Sequence, residues 1–350
     1  MSRVLVLGYF GYLNNQLDGQ TVKTRNIYEL LKLKTDGKVS VDTLDTQLFK
    51  HSKLFFFRML WKIFRCNKLI YLPAHNNLKY LFPIIYVWCW LKRSEILYFV
   101  VGGWLVEYLK TKRLHVTLLS KIRAILTEST DLSNSLKLQY HFKNVITFPN
   151  FRMHSFTPTF VQNRDLFRIV FMARINRMKG IDYVFHLAEY FANPSFSKRP
   201  VIIDFYGPIE KKDEVYFFQQ LDKFENTSYR GVLQPENIYK TLNNYDLMVF
   251  PTRYFTEGFP GTVLDAYISG LPVIATHWKH ATDFIVHEKT GFIVPFENSE
   301  KDFIDAVIKI YQDYKLLIKM KHNAHEQSLK YSSEGAWNIL INNNLVEITL

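Results

Sequence analysis

Short apolar runs alternate with mixed polar and apolar segments along the whole chain. Apolar runs of four to seven residues are typical of parallel strands that are buried on both faces. In the first half they predict strands at Val4–Gly8, Val39–Asp45, Leu69–Pro73, Glu95–Val101, Ala124–Glu128 and Val145–Phe148. Helical segments such as Thr21–Lys34 lie between most of them. This alternation predicts a doubly wound α/β sheet.

A second series of strands and helices follows Pro149 and Asn150, after a predicted linker at Phe151–Phe167. Its predicted strands are Arg168–Ala173, Val201–Tyr206, Asp246–Pro251, Pro272–Thr276 and Phe292–Pro295. Its predicted helices are Gly180–Ala192, Asp213–Glu225, Pro235–Asn243 and Gly261–Ser269, with further helical stretches at Ser299–Tyr331 and Gly335–Glu347. We therefore expect two Rossmann-like domains facing a cleft, at residues 1–150 and 151–334. The last helix, at residues 335–350, is expected to pack back on the first domain.

Length and composition agree with this picture, because 350 residues with 48% hydrophobic content suffice for two cores. Cys66 and Cys89 give neither a disulfide framework nor structural zinc spacing, which predicts a reducing, cytoplasmic location. The N-terminal stretch MSRVLVLGYF lacks the long apolar region and cleavage site of a signal peptide.

The charge is unevenly distributed along the chain, and this distribution indicates what kind of partner the protein binds. Residues 1–150 hold 22 Lys and Arg against 9 Asp and Glu, whereas residues 151–350 hold 22 against 23. The first half therefore carries the entire net charge of +12. Such a basic half predicts an anionic partner, which is a lipid headgroup, a nucleic acid or a phosphorylated substrate.

One basic and aromatic segment, Lys53–Leu72, suggests the lipid partner. A helix over residues 54–66 would place three cations on one face and four apolar residues roughly opposite: Arg58, Lys62 and Arg65 against Phe56, Phe57, Leu60 and Phe64. This pattern suits a helix lying on anionic lipid, and equally a surface helix whose apolar face packs on the domain core. The apolar run Leu81–Leu91 has 11 residues, well short of the ~20 that span a bilayer.

The segment Phe250–Ala275 carries the most informative chemistry. A strand ending at Pro251 leads into a loop with Glu257 and several glycine and proline residues, and a short helix follows with Asp265 in its first turns. A helix N-terminus binds phosphate, and glycine lets the backbone approach a ligand closely. Glu257 alone could be a solvated acid and Asp265 a partner of the helix dipole. Their combination favours a site for an anionic ligand.

The stretch from Glu257 to Asp265, followed by Gly270–Val273, resembles the acid–seven–acid motif of the retaining family 4 GT-B glycosyltransferases. The family has Glu as second acid; Asp265 is one methylene shorter but still accepts two hydroxyl hydrogen bonds. The resemblance implies that Glu257 binds the donor sugar and Asp265 the ribose. It also implies that backbone N–H groups hold the sugar and the diphosphate along the loop made of Gly258, Phe259, Pro260, Gly261 and Thr262.

A second matching stretch, Arg168–Asp182, places Arg174 at a strand end and Lys179 at the start of a helix. On spacing alone these are two solvated surface cations. The family has Arg and Lys at these places, and the resemblance implies that both clamp the donor diphosphate and act in catalysis with Glu257. No DxD motif is present, so we expect neither a metal nor a cofactor. Gly207 and Val232 match strand-end positions that line the nucleobase pocket.

In the first half the resemblance is mainly architectural. The loop in Gly8–Arg25 lacks GxGxxG, which disfavours a dinucleotide site. Gly19 is the candidate for a family glycine whose N–H faces the donor diphosphate. The acceptor candidates are Gln20, Lys23 and Arg25, together with Gly103 and Trp104 in a loop where several family members have a histidine. Lys23 and Arg25 would equally suit the exposed face of a helix.

The resemblance implies transfer of a sugar from a UDP- or GDP-linked donor to a saccharide or polyprenyl-diphosphate-linked acceptor. The first domain would face the acceptor and the membrane, and the second would bind the donor. The expected setting is capsule or exopolysaccharide assembly on the inner face of the plasma membrane, with no nucleic acid partner. Two alternatives stay open, which are a GT-B-type nucleotide-sugar epimerase and a non-enzymatic basic protein that binds lipid or nucleic acid.

Overall fold

The computed structural model describes residues 3–13, 18–50, 54–160, 165–193, 195 and 199–346. The chain folds into two compact units. The first comprises residues 1–153 and 331–350, and the second comprises residues 154–330. Residues 161–164 of the predicted linker and the end of the last predicted helix, at Glu347, lie outside the described residues.

The first unit contains a six-stranded parallel sheet in the order β2-β1-β3-β4-β5-β6. Its strands are β1 (Arg3–Gly8), β2 (Ser40–Asp45), β3 (Lys68–Leu72), β4 (Glu95–Phe99), β5 (Ala124–Thr127) and β6 (Val145–Thr147). All six were expected from the apolar runs. The inner strands β3, β4 and β5 are almost wholly buried, as expected for a parallel sheet covered on both faces.

Helices cover both faces of this sheet and enclose two apolar clusters. They are α1 (Gly19–Thr35), α2 (Leu54–Arg65), α3 (His75–Lys92), α4 (Leu105–Leu109), α5 (Arg113–Leu119) and α6 (Thr130–Tyr140). Asp18 starts α1 as its N-cap, since its Oδ1 accepts the Thr21 N–H at 2.9 Å. The apolar run at Leu81–Leu91 forms the second half of α3, and Pro83 lies inside that helix.

The second unit repeats the design with the order β12-β11-β10-β7-β8-β9. Its strands are β7 (Phe167–Met172), β8 (Val201–Tyr206), β9 (Thr227–Tyr229), β10 (Leu247–Phe250), β11 (Val273–Thr276) and β12 (Gly291–Val294). Only β9 was not predicted, because its three residues, TSY, form no apolar run. The doubly wound α/β class is thus confirmed in both units.

The helices of the second unit also lie between its strands. They are α7 (Ile181–Ala192), α8 (Glu214–Leu221), α9 (Ile238–Leu242), α10 (Gly261–Ile268), α11 (Ala281–Phe284), α12 (Glu300–Gln312) and α13 (Tyr314–Ser328). The predicted stretch Ser299–Tyr331 divides at Asp313. This residue ends α12 and caps α13, because its Oδ1 accepts the Leu316 N–H at 2.9 Å.

The last helix, α14 (Ser333–Asn342), belongs to the first unit. Its residues Trp337 and Leu340 are buried in the same apolar cluster as Leu30 of α1. Lys34 pairs with Glu334 on the surface above this contact. Helix α14 therefore covers part of one face of the N-terminal sheet.

Candidate active site

The carboxyl ends of β7 and β10 bring together the two informative segments of the sequence. These strands are hydrogen-bonded neighbours in the sheet, with Leu247 opposite Ile169. The loop after β7 enters a 3₁₀ turn at Arg177–Lys179, and the loop after β10 runs from Pro251 to Pro260 before α10 begins. Ligands of parallel α/β sheets bind at this edge.

Lys179 and Glu257 are in direct contact at this edge. Lys179 Nζ lies 2.5 Å from Glu257 Oε2, and the two side chains are 17% and 20% exposed. The same ammonium lies 4.9 Å from the centre of the Tyr254 ring. Neither residue is therefore a solvated surface charge. They form a sheltered ion pair that a ligand can still reach.

Local backbone structure fixes the position of Lys179. Asn176 Oδ1 accepts the Lys179 N–H at 2.7 Å, and Asn176 Nδ2 donates to Glu210 Oε2 at 2.6 Å. The next residue, Gly180, has φ of 79°, and a Cβ there would lie 1.9 Å from the Pro251 carbonyl oxygen. Only glycine allows the turn after Lys179 to pack this closely against the end of β10.

Thr252, which no motif in the sequence indicated, also holds Glu257 in place. Its Oγ1 donates to Glu257 Oε2 at 3.3 Å and accepts the Tyr254 N–H at 3.2 Å. Thr252 is completely buried. A hydroxyl residue directly after Pro251 at a strand end was the available signal.

The start of α10 is tied to the end of β7. Thr262 Oγ1 donates to the Met172 carbonyl oxygen at 2.8 Å. Phe259 is buried and stacks on Phe284 with ring centres 4.0 Å apart. Its side chain therefore anchors the loop from inside. Pro260 is the residue before the helix and has no N–H to donate, so it can contribute only shape to an anion site.

Asp265 lies one turn further along α10. It is 5% exposed and sits within a helix whose residues from Val263 to Ile268 are all buried. The acid therefore lies inside the second unit, close beneath the helix start. Its predicted contact with a ribose remains a prediction.

The remaining donor candidates lie at neighbouring strand ends. A Cβ on Gly207, which has φ of 137°, would lie 1.9 Å from the Ala173 carbonyl oxygen, directly before Arg174. The Gly207 N–H donates to the Gly231 carbonyl oxygen at 2.9 Å, next to Val232, which is 47% exposed. Arg174 follows the end of β7 and is exposed.

An ion-pair network that the sequence did not reveal supports this edge. Asp182 of α7 is buried and accepts from Arg253 Nη1 at 3.1 Å, and it lies 3.4 Å from Arg177 Nε. Burial and the neighbouring Asp182 raise the pKa of Tyr216 to about 12. The network links the loop after β10 to the first turn of α7, next to Lys179.

The first unit corrects the interpretation of Lys23. Its Nζ lies 2.8 Å from Glu128 Oε1 and donates to the Val100 carbonyl oxygen at 2.8 Å. Both charged side chains are under 5% exposed, and burial lowers the pKa of Lys23 while Glu128 opposes the shift. Glu128 Oε2 also accepts the Gly102 N–H at 3.3 Å. Lys23 is thus neither an acceptor contact nor on an exposed helix face. It holds the loop after β4.

The side chains of Gln20 and Arg25 are also hydrogen-bonded to backbone carbonyl oxygens within the first unit. Gln20 Nε2 donates to the Leu72 carbonyl oxygen at 3.2 Å, and Arg25 Nε donates to the Phe10 carbonyl oxygen at 2.8 Å. The Arg25 guanidinium lies 4.9 Å from the Tyr12 ring, so it too is not on a bare helix face. Gly19 is the first residue of α1, and a Cβ there would meet nothing within 4 Å.

The loop after β4 carries an aromatic group. Trp104 Nε1 donates to the Val101 carbonyl oxygen at 2.7 Å, and Gly103 beside it is buried. The Trp104 ring lies 5.0 Å from that of His75, at the start of α3. His75 was not among the predicted residues, because it follows β3 in a segment without motif character.

The described part of the chain contains no group of three or more His, Cys, Asp or Glu residues arranged to hold a metal ion. At this sheet edge, the cations Lys179 and Arg174 and the backbone at the start of α10 are available to contact an anionic ligand. Their arrangement suits recognition of phosphate oxygens.

Comparison with known proteins agrees with this chemistry. Residues 158–327 match the family model for glycosyl transferases group 1. A Klebsiella pneumoniae protein described as an uncharacterized 41.2 kDa protein in the cps region is 25% identical over 138 residues, covering 39% of this chain and 35% of that protein. The N,N'-diacetylbacillosaminyl-diphospho-undecaprenol alpha-1,3-N-acetylgalactosaminyltransferase of Campylobacter jejuni is 27% identical over 95 residues, covering 27% and 24%.

The two relatives are thus matched over about a third and a quarter of their lengths. Among solved structures, Anabaena Alr3699/HepE in complex with UDP-glucose superposes with a TM-score of 0.75 at 14% identity, covering 99% of this chain and 100% of that one. This likeness confirms the GT-B fold class expected from the sequence.

Proposed function

We propose that this chain, whose residues 158–327 match the family model for glycosyl transferases group 1, transfers a sugar from a nucleotide-sugar donor to an acceptor with retention of configuration. The observation that carries the proposal is the contact between Lys179 and Glu257 beside the start of α10. At one sheet edge, a cation is available to bind the phosphate and a carboxylate to bind the sugar hydroxyls. A helix N-terminus beside them can stabilise the developing negative charge.

The residues of the site divide the chemistry between them. Lys179 and Arg174 stabilise the nucleoside diphosphate as its bond to the sugar breaks, and the N–H groups at the start of α10 add to this positive potential. Because the protein supplies the positive charge, the reaction requires no metal ion. Glu257 binds hydroxyls of the donor hexose, and the acceptor hydroxyl attacks from the face that the diphosphate leaves, as in family 4.

We further propose that the acceptor is a lipid-linked saccharide in surface polysaccharide synthesis. The Campylobacter relative is named for a diphospho-undecaprenol acceptor, and the Klebsiella relative for a cps region. The net charge of the first 150 residues favours a phosphate-bearing lipid and an anionic membrane surface. The enzyme would then work as a peripheral protein on the cytoplasmic face of the plasma membrane.

The test is a panel of UDP- and GDP-sugars, with release of nucleoside diphosphate as the readout. We expect one donor to give release that increases when polyprenyl-diphosphate saccharides are added, with the product bond in the donor's anomeric configuration. Conversion of the donor sugar into an epimer without an added acceptor would identify an epimerase instead. Absence of both reactions across the panel would refute the proposal.

A further inference from the structure

Two helices of the first unit present an uncovered apolar surface. On α2 and α3, nine large apolar side chains are 42–75% exposed, and we call them the α2–α3 face: Leu54, Phe57, Trp61, Phe64, Tyr80, Ile84, Val87, Trp90 and Leu91. The two helices pack against each other, because Trp88 Nε1 donates to the Leu60 carbonyl oxygen at 2.8 Å. The exposed residues therefore belong to one surface.

This surface is additional to the domain core. The buried side of α2 is formed by Phe55, Met59 and Ile63, which lie in the same apolar cluster as residues of α3. The alternative of a surface helix whose apolar face packs on the domain core thus holds for this side of α2, but the helix also carries large apolar residues that face outward. Clusters of exposed apolar side chains on this scale mark surfaces that bind a partner or a membrane.

The orientation of α2 also corrects the sequence-based prediction. Lys62 is not on an open cationic face, since its Nζ donates to the Thr43 carbonyl oxygen at 3.0 Å. Phe56 and Leu60 are partly buried against the core. What faces outward is a row of aromatic and aliphatic residues, with Arg58 and Arg65 exposed beside it.

Cations border the α2–α3 face. The Arg65 guanidinium lies 4.7 Å from the Trp61 ring, and Lys92 Nζ lies 5.2 Å from the Phe64 ring. Arg58 and Arg93 are exposed on the same helices or at their ends. Long basic side chains at the edge of an apolar surface place their charge at the level of lipid phosphates, while aromatic rings favour the bilayer interface.

We propose that the α2–α3 face docks on an anionic bilayer by inserting its apolar side chains between lipid headgroups. In the described part of the chain no helix has the length and apolar character needed to traverse a membrane. The basic border and the excess charge of residues 1–150 are complementary to anionic lipid. This complementarity favours a lipid surface over a second copy of this basic chain.

Helix α3 runs from the carboxyl edge of the first unit's sheet to the α2–α3 face. The helix begins at His75, directly after the carboxyl end of β3, and the ring of His75 contacts Trp104. Tyr80, the first residue of α3 in the face, is five residues further on, about 7.5 Å along a helix axis. Resting on the proposed function, we infer that a lipid-linked acceptor reaches this edge while its lipid stays in the bilayer.

The experiment is vesicle flotation of the full chain at low and physiological salt. The vesicles contain phosphatidylcholine alone or a mixture with phosphatidylglycerol. Trp61→Ser combined with Trp90→Ser removes two central rings of the face and leaves its cations. The matched control is Leu33→Ser combined with Leu138→Ser, which changes two residues of α1 and α6 that are 62% and 76% exposed.

We expect the wild type to float with the anionic vesicles, the double tryptophan variant to bind at least tenfold more weakly, and the control to bind like wild type. Arg58→Gln combined with Arg65→Gln should reduce the salt dependence of binding. Absence of wild-type flotation, or equal binding by the tryptophan variant, would overturn the proposal. So would a dimer of the wild type that this variant dissociates.

The measurements of vesicle binding and of sugar transfer test the two proposals separately. Flotation uses no sugar nucleotide, and nucleoside diphosphate release from the donor alone uses no vesicle. A chain that floats without releasing nucleoside diphosphate contradicts only the proposed reaction. A chain that releases it without floating contradicts only the docking surface.

Discussion

Lys179 Nζ lies 2.5 Å from Glu257 Oε2, so the cation proposed to hold the donor diphosphate is paired with the acid proposed to hold the donor sugar. Without a bound donor, the Glu257 carboxylate pairs with the Lys179 ammonium at the position where a donor phosphate would pair with it. Donor binding must therefore exchange one anionic partner of Lys179 for another. Because of this exchange, substitutions of Lys179 and of Glu257 should change nucleotide binding and sugar transfer in different ways.

Lys179→Met should reduce kcat/KM by about 10²–10³, because it removes one preorganised charge from the departing diphosphate. The fold should survive, because Glu257 remains 20% exposed to water and keeps the hydrogen bond from Thr252 when the ammonium is removed. Steady-state release of nucleoside diphosphate measures the effect. Lys315→Met on the surface of α13 is the control and should retain wild-type rates. Equal rates in the two variants would remove Lys179 from the mechanism.

Glu257→Gln should separate nucleotide binding from turnover. The free nucleoside diphosphate should bind at least as tightly as in wild type, because Lys179 no longer has a competing carboxylate. Turnover of the nucleotide sugar should fall by about 10–100-fold, since charged hydrogen bonds to the sugar contribute roughly 1.5–3 kcal/mol. Calorimetry and rate measurements on the same preparation check both. Weaker nucleotide binding with unchanged turnover is the opposite pattern and would reassign Glu257.

Thr252→Val tests whether the buried hydroxyl positions Glu257. The loss of its 3.3 Å hydrogen bond should raise KM for the nucleotide sugar or lower kcat by up to about tenfold. Affinity for the free nucleoside diphosphate should not change, because Thr252 contacts the acid that faces the sugar. Thr252→Ser keeps the hydroxyl and should restore activity. If serine fails to rescue while the fold is intact, the methyl group matters and the hydrogen bond does not.

Lys23→Met should destabilise the first unit, because it leaves Glu128 buried without its cation. Breaking one partner of such a pair costs about 3–5 kcal/mol, which is a decrease in Tm of roughly 6–20 °C. The double variant Lys23→Met, Glu128→Leu removes both charges and should recover most of this loss. The Tm values of the wild type, the single variant and the double variant, measured by thermal unfolding, check both expectations. A single variant as stable as wild type would show that the ion pair does not hold the loop after β4.

The sequence predicted most of the fold because its strands are continuous apolar runs buried on both faces. β9 was missed since three residues, TSY, carry no such signal. The division at Asp313 was missed for a similar reason, because α12 and α13 together give one long helical pattern interrupted only by a capping side chain.

The candidate site was predicted where residues form a local motif. Glu257 and Lys179 were identified 78 positions apart, and the structure brings them into contact. Thr252, Asp182 and His75 act through contacts between distant segments, which one sequence does not reveal. Lys23 was misinterpreted because a lysine at the start of a helix ordinarily faces solvent, and its buried partner Glu128 is 105 residues away.

The most direct test of the account is calorimetric titration of UDP and GDP into the wild type and Lys179→Met. We predict that one nucleotide binds the wild type with measurable heat, that its sugar derivatives compete for the same site, and that Lys179→Met weakens binding at least tenfold. Absence of heat and of competition with both nucleotides, or equal affinity in the variant, would contradict the assignment of this sheet edge as a nucleotide-sugar site.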